Sequence, residues 1–475
     1  MRLRPILAMA LPVALAGCNL APAYHPPAIA APAQWRPQPG WAPASPQDSL
    51  PRGAWWAVFG DPVLDDLEGR LDGANPDLQA ALARYDGAAA YAQQARGALL
   101  PGVDGQGSAT RNRQSDERPL RGSGQPDLYT ADQANGIASY EPDLWGRLRN
   151  ELAARRDLAQ ASDADRAALR LSLEAQLASA YFALRGLDAD LELLAGTVAA
   201  YRQSLTLTQT LYSGKIAAQM DVSRAQVQWE NARAMEADLA ASRDRMADAI
   251  AVLAGAAPST FTLAAAPHLA GLPAIPAGLP ATLLERRPDI AAAERAAAAA
   301  NARIGVARAA FYPAISFDAA GGLMSQGTDP FKAGDLFWSL GPSISLPLFT
   351  GGRLQGQLAG ARAQWAEAAA HYRSVALNAF REVEDQRALM ARLAQEEGFS
   401  ASASTAARQT VAATTQLYAQ GATSYLEVVT AQTALLNAQR AALDIRTRRL
   451  VASVGLIRAL GGGWSAAQSR SSGSS

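Results

Sequence analysis

The chain has 475 residues, enough for several ordinary domains, with 43 basic and 43 acidic side chains. That balance excludes a bulk charge bias toward nucleic acid. Three scattered histidines (His25, His268, His371) and a single cysteine exclude a disulfide framework and a cysteine-rich metal site.

The N-terminus reads as an address. Arg2 and Arg4 supply a positive start, and residues 6–16 form an apolar run too short to span a bilayer as a helix. The run ends in Leu15-Ala16-Gly17-Cys18, which resembles the bacterial lipobox. That chemistry needs a thiol, because the sulfur takes a diacylglyceryl group by thioether formation, and the only cysteine of the chain stands there. Residues 1–17 are thus expected to be a signal peptide and Cys18 the S-diacylglyceryl, N-palmitoyl terminus. Asn19, in place of Asp, permits sorting to the outer membrane by resemblance to lipoprotein rules. The acyl chains then anchor the protein.

Residues 18–54 are an expected extended arm, rich in proline and interleaved with Tyr24, Trp35 and Trp41. The arm is either a free linker or, as the aromatics suggest, a strap along a surface.

The rest is one large half stated twice. Asp77 and Asp289 begin matching segments 212 residues apart, as do Pro101 and Pro313. Tyr212 and Tyr418 are 206 apart, and so are Asn231 and Asn437. The first repeat is assigned to residues 55–254, a linker to 255–287 and the second repeat to 288–464; residues 465–475 read as a disordered tail.

In each half a non-helical window precedes the long helices. Val103, Gly105, Gly107 and Ala109 alternate with Asp104, Gln106, Ser108 and Thr110, and a return strand is expected near 129–140. The second window is clearer. Ile315 and Phe317 alternate with Ser316 and Asp318, and Leu336, Trp338, Leu340, Ile344, Leu346 and Leu348 with small or polar neighbours. Four strands result, in hairpins at about 103–140 and 315–348. Four strands cannot close a barrel, whose smallest usual size is about eight. In a membrane, therefore, several chains must share one; otherwise the hairpins pack on soluble helix bundles.

Helix signals run through 147–209 and again through 353–416. Leu177, Tyr181, Leu184, Leu187, Leu191, Leu194, Val198, Tyr201 and Leu205 form a heptad seam. Rods this long suit a coiled-coil shaft or tunnel better than a globule.

Chemistry-bearing clusters are lacking. Glu285 and Asp289 flank Pro288 at a helix start, and Asp65, Asp66 and Glu68 open a helix in the same way; all read as cap and first-turn charges. No phosphate loop, nucleophile elbow or histidine cluster occurs, so neither an enzyme nor a cofactor is expected.

These residues together carry a resemblance. They include the lipobox, Trp55-Trp56-Ala57-Val58-Phe59-Gly60-Asp61-Pro62, Asn75-Pro76-Asp77-Leu78 and Tyr140-Glu141-Pro142-Asp143-Leu144-Trp145-Gly146-Arg147. Glu285-Arg286-Arg287-Pro288-Asp289-Ile290, Pro347-Leu348-Phe349-Thr350-Gly351-Gly352-Arg353 and Leu417-Tyr418-Ala419-Gln420-Gly421-Ala422-Thr423-Ser424-Tyr425-Leu426-Glu427-Val428 complete the set. In this order they resemble the TolC/OprM-like outer-membrane factor family of Gram-negative efflux systems, in its lipidated branch serving resistance-nodulation-division pumps. The resemblance implies a homotrimer, a mostly α chain with a twelve-stranded outer-membrane β-barrel and a periplasmic coiled-coil tunnel. Passive conduction, a periplasmic adaptor and an inner-membrane pump follow from it. An exit duct for type I secretion and a purely structural coiled-coil lipoprotein are the alternatives.

By the same resemblance the mechanism lives at two tip turns, marked by Gly214 and Gly421. Glu427 reads as an acidic ring at the periplasmic entrance. Asp221 reads equally as gate or as solvated acid. Tyr418 and Thr423 are candidates for contacts that hold the closed state, although a heptad tyrosine also suits a core. The halves differ here: Gly214 falls one residue early, and Ala218 stands where the second half has Ser424.

Overall fold

The computed structural model describes residues 19–37, 53–115, 117, 124, 126–275, 283–326 and 332–462. The signal segment with Cys18, part of the arm, part of the linker, the tips of both strand hairpins and the C-terminal tail lie outside them. Seven long helices and four strands follow in order: α1 (Pro62–Ala74), α2 (Pro76–Gly97), β1 (Gly102–Arg113), β2 (Leu128–Tyr140), α3 (Arg147–Ser213), α4 (Gln219–Leu253), α5 (Pro288–Ala309), β3 (Ala314–Gln326), β4 (Leu336–Ser345), α6 (Arg353–Ala419) and α7 (Tyr425–Ala459). A short 3-10 turn, Trp55–Phe59, precedes α1. Among the described residues no helix is long and apolar enough to cross a membrane.

The duplication preserves the lengths of three helix pairs. α3 and α6 both have 67 residues, about 100 Å at 1.5 Å per residue, and α4 and α7 both have 35. Both pairs start 206 residues apart, whereas α2 and α5, 22 residues each, start 212 apart. The change of offset falls within the strand hairpins, since β1 and β3 still start 212 apart. Hairpin tips absorb insertions at little cost.

The helix starts explain the motifs. The Asp61 carboxylate caps α1, accepting from Val63 N at 3.0 Å and Leu64 N at 3.3 Å, with Pro62 in the first turn. Its other oxygen accepts the Tyr181 hydroxyl at 2.6 Å. Asn75 caps α2 the same way and donates to the Leu253 carbonyl at 2.9 Å. At α3, Asp143 accepts from Leu148 N and Arg149 N, Glu141 holds Arg147 through two bonds, and Gly146 turns with φ 75°. Its repeat counterpart, Gly352, has φ 85°.

The chain divides into two compact units. The first holds residues 19–28, Arg84–Ser162 and Ala292–Tyr372, and so contains the sheet. Its strands run antiparallel in the order β1-β2-β3-β4. Trp145 closes the base of the sheet: its indole donates to the Pro313 carbonyl at 2.8 Å and stacks on Tyr312. The arm lies on α5, with the Pro22 carbonyl accepting from Asn301 and the Tyr24 hydroxyl donating to the Glu294 carbonyl. The approach needs a glycine, because a Cβ at Gly305 would stand 2.7 Å from Ala21 Cβ. These contacts hold residues 21–24 of the arm along α5.

The second unit holds residues 29–37 of the arm, α1 and the remaining parts of the helices. Its main core joins Trp55, Trp56 and Phe59, Leu64, Leu67 and Leu71 of α1, Leu177, Tyr181 and Phe182 of α3, Ile250 of α4 and Val454 of α7. Farther along, Leu194, Leu239 and Leu436 continue the seam of α3 against α4 and α7. Within the second unit the arm packs on α6, where Trp35 meets Phe380 edge to face. The linker is pinned by Asp188, which accepts from Arg185 at 2.9 Å, Arg243 at 2.6 Å and Ala266 N at 3.0 Å. Both guanidiniums also donate to linker carbonyls, those of Ala264 and Leu263.

Candidate functional site

Two regions carry the geometry that a conduit needs, and the first is the sheet. Gln106 pairs with Asn135, Asn135 with Gly322 and Gly322 with Phe337, so these residues share one face. Counting by twos from that row, the face carries Asp104, Ser108, Gln133, Asp318, Ser339 and Ser343. The other face carries Val103, Phe317, Leu336, Trp338, Leu340 and Ile344. Those six are exposed, from 48% at Phe317 to 77% at Trp338. The first face also carries Ile137, Met324 and Phe337 and the second Arg111, Arg113 and Asp132, so one face is predominantly polar and the other predominantly apolar and exposed, as suits a sheet between two media. Its strands of 10 to 13 residues match the length that crosses a bilayer at a tilt. In the sheet order β1 and β4 are the outer strands, each paired on one side only.

The second region is the pair of tips, α3 to α4 and α6 to α7, in the second unit. Both close as Schellman turns. In one, Gly421 N donates to the Tyr418 carbonyl and Ala422 N to the Leu417 carbonyl, with Gly421 left-handed at φ 74°. In the other, Lys215 N donates to the Tyr212 carbonyl and Ile216 N to the Leu211 carbonyl, with Lys215 at φ 59°. Lys215 is the repeat counterpart of Gly421. The expectation that Gly214 is the turning glycine is therefore corrected. Gly214 keeps the helical bond to the Thr210 carbonyl, and a lysine takes the left-handed position one residue later. The register of the two tips is thus the same, and only the residue filling it differs. Ala218 and Ser424 both precede a helix, and neither side chain caps it.

The remaining tip candidates separate by environment. Tyr418 is 6% exposed and joins Leu205, Val222, Ala225, Tyr425 and Val428 in a small core. Its ring tilts against Tyr425 at 5.1 Å. Burial raises both phenols above the ordinary tyrosine value, Tyr425 to about 12. Tyr212, the counterpart of Tyr418, is 45% exposed, and the counterpart of Tyr425 is Gln219. The sequence reading did not single out Tyr425; its place seven residues after Tyr418 was the available signal. Thr423 is half-buried. Asp221 and Glu427 are both third residues of their helices, where the helix dipole favours an acid. Asp221 is half-buried and pairs with Arg224 at 3.6 Å, a partner the sequence reading missed. Glu427 is exposed.

Long paired helices with capped tips and a two-faced open sheet define a channel-forming class, and comparison with known proteins identifies it. A family model described as outer membrane efflux protein matches residues 70–256 and 279–462. The solvent efflux pump outer membrane protein SrpC of Pseudomonas putida is 32% identical over 461 residues, spanning 96% of this chain and 97% of the relative. Outer membrane protein OprJ of Pseudomonas aeruginosa is 30% identical, with 97% and 96% covered. Among solved structures, the outer-membrane channel OprN superposes with a TM-score of 0.86 at 30% identity, covering 94% of this chain and all of that one. The open-state Neisseria gonorrhoeae MtrE outer membrane channel gives 0.81 at 28% identity, with 94% and 98% covered. The chain belongs to the outer membrane efflux protein family. Its fold class, mostly helical with four strands of a barrel, is the one the resemblance implied.

Proposed function

We propose that three copies of this chain close their sheets into one outer-membrane barrel, and that their long helices form the periplasmic conduit joined to it. The conduit passes substrates passively; a resistance-nodulation-division pump in the inner membrane supplies the energy and a periplasmic adaptor makes the connection. The observation that carries this reading is the open sheet with one apolar face. Backbone donors along β1 and β4 have to be paired in lipid, and four strands are too few for a barrel. Three copies supply twelve strands and leave no edge. Relatives matched over nearly their whole length are named efflux pump outer membrane proteins, which supports the same role.

Cys18 is the lipid anchor in this reading, after removal of residues 1–17. The arm follows as a strap, and the two repeats with their linker form the working body. At the tips, three copies of exposed Glu427 form an acidic ring that favours cations. Asp221 contributes less, because Arg224 offsets its charge. Tyr418, packed on Tyr425, and Thr423 beside the turn stiffen the second tip, and Lys215 with Gly421 sets the two turns. The protein performs no catalysis and needs no cofactor.

The test is conductance of the purified, full-length protein in a planar bilayer, with chemical cross-linking of the same sample. Discrete pores and a ladder ending at three copies are expected. A cross-linked species with no pore would favour a structural lipoprotein, and a stable monomer would overturn the shared barrel.

A further inference from the structure

Glu68 sits on the wrong side of its helix for a charge. Leu64, Leu67, Glu68 and Leu71 share one stripe of α1, at spacings of three and four, and all four are buried at 0 or 1% exposure. The stripe faces the core built by Trp55, Leu177, Tyr181 and Phe182. Neither carboxyl oxygen of Glu68 meets a hydrogen-bond donor.

The charged groups around it are Asp72, one turn further along α1, and Glu174 and Arg170 on α3. Arg170 is already engaged: its Nε donates to Glu174 Oε1 at 2.8 Å and its Nη2 to Asp72. Glu174, 4% exposed, accepts at Oε2 from the Trp55 indole at 2.8 Å. That guanidinium serves two other carboxylates, and none of its donors reaches Glu68. An ionised carboxylate without a donor is not sustained in an apolar core. A protonated one costs far less there, because it carries no charge.

We propose that Glu68 is held as a neutral carboxylic acid at neutral pH and forms, with Glu174, a proton-dependent latch. The latch fastens α1 and the Trp55–Phe59 turn to α3 and opens when Glu68 ionises. Burial, reinforced by the like charges of Glu174 and Asp72, pushes Glu68 up to about 10. Burial pushes Glu174 up to about 7, against the pull of Trp55 and Arg170. Both groups hold a proton more tightly folded than unfolded, so the stability they confer falls as pH rises. The loss runs from the ordinary glutamate value to about 7 for Glu174 and to about 10 for Glu68. At the alkaline end three carboxylates face one arginine, and the core where α1, α3, α4 and α7 meet loosens on the α1 side. The inference is independent of the channel reading, because it concerns packing within one chain.

Infrared spectroscopy and hydrogen exchange on the full-length protein in detergent test it. At about pH 8 the wild type should show the carbonyl band of a protonated carboxylic acid, and Glu68→Gln should lose it. The opening constant of α1 amides, corrected for intrinsic exchange, should rise roughly tenfold per pH unit between about pH 7 and 9 in the wild type and stay flat in Glu68→Gln. A wild-type spectrum without the band overturns the latch and needs no variant. A band or pH slope left unchanged by Glu68→Gln overturns it too; if that variant does not fold, Glu68→Leu takes its place.

Discussion

Lys215 and Gly421 stand 206 residues apart and hold the same left-handed backbone, φ 59° and 74°, at the same step of the same turn. A side chain in that conformation crowds its own carbonyl, at a cost of about 1 kcal/mol, which glycine avoids. Lys215→Gly should therefore slow local opening of the α3–α4 tip by about fivefold, the equivalent of about 1 kcal/mol. Gly421→Ala should speed opening of the other tip by a similar factor. Hydrogen exchange at residues 211–217 and 417–423 reads both. Equal exchange before and after substitution would mean that the turns are not held as described.

The two faces of β4 should respond oppositely to charge. Leu340 lies on the apolar face at 73% exposure and its neighbour Ser339 on the polar face. Leu340→Lys should cost about 2–4 kcal/mol if that face meets lipid near mid-depth, whereas Ser339→Lys should be tolerated. The fraction of assembled oligomer surviving mild heating in detergent measures the difference. Equal tolerance would refute a lipid-facing sheet.

Ion preference should follow Glu427 more than Asp221. Glu427→Gln removes an exposed acid that has no ion-pair partner among the described residues, so the reversal potential in a salt gradient should shift toward anions. Asp221→Asn removes an acid that Arg224 already offsets, and the shift should be smaller. An unchanged potential in Glu427→Gln would move the selective ring elsewhere in the conduit.

The proposed lipid attachment would rest on the Cys18 sulfur. Cys18→Ala should abolish incorporation of labelled fatty acid and leave the signal segment unprocessed by the lipoprotein route. Retained label would refute the lipobox.

Asp188 carries the linker anchorage. Its side chain is 1% exposed, between Arg185 and Arg243. Asp188→Ala leaves two guanidiniums without their shared anion and should destabilise the second unit by about 3–5 kcal/mol. Denaturant unfolding, with protease sensitivity of residues 257–275 as a local probe, would detect it. A loss below about 1 kcal/mol would mean the guanidiniums find other partners.

The amino-acid sequence by itself determined the duplication, the helices and the strands. Those features repeat locally: heptads along 177–205, alternation along β4, which ends at Ser345 short of the expected Leu346 and Leu348, and proline or glycine near many element ends. Periodicity of that kind is set by neighbouring residues and survives without knowledge of the partner. The tertiary structure alone decided where three particular side chains stand. Glu68 reads as one more acid at a helix start, and only the arrival of α3, with Arg170 committed to others, makes it a buried group without a donor. Tyr212 and Tyr418 share the same Leu-Tyr context, yet one is exposed and the other buried: Tyr425 packs on Tyr418, whereas the repeat counterpart of Tyr425 is the exposed Gln219. Lys215 turns left-handed although Gly214 is next to it, because the hydrogen bonds to Tyr212 and Leu211 fix which residue occupies the turn. The burial of Glu68 depends on a helix distant in the chain, and the two tips depend on packing and hydrogen-bond register that periodicity does not specify even between near neighbours.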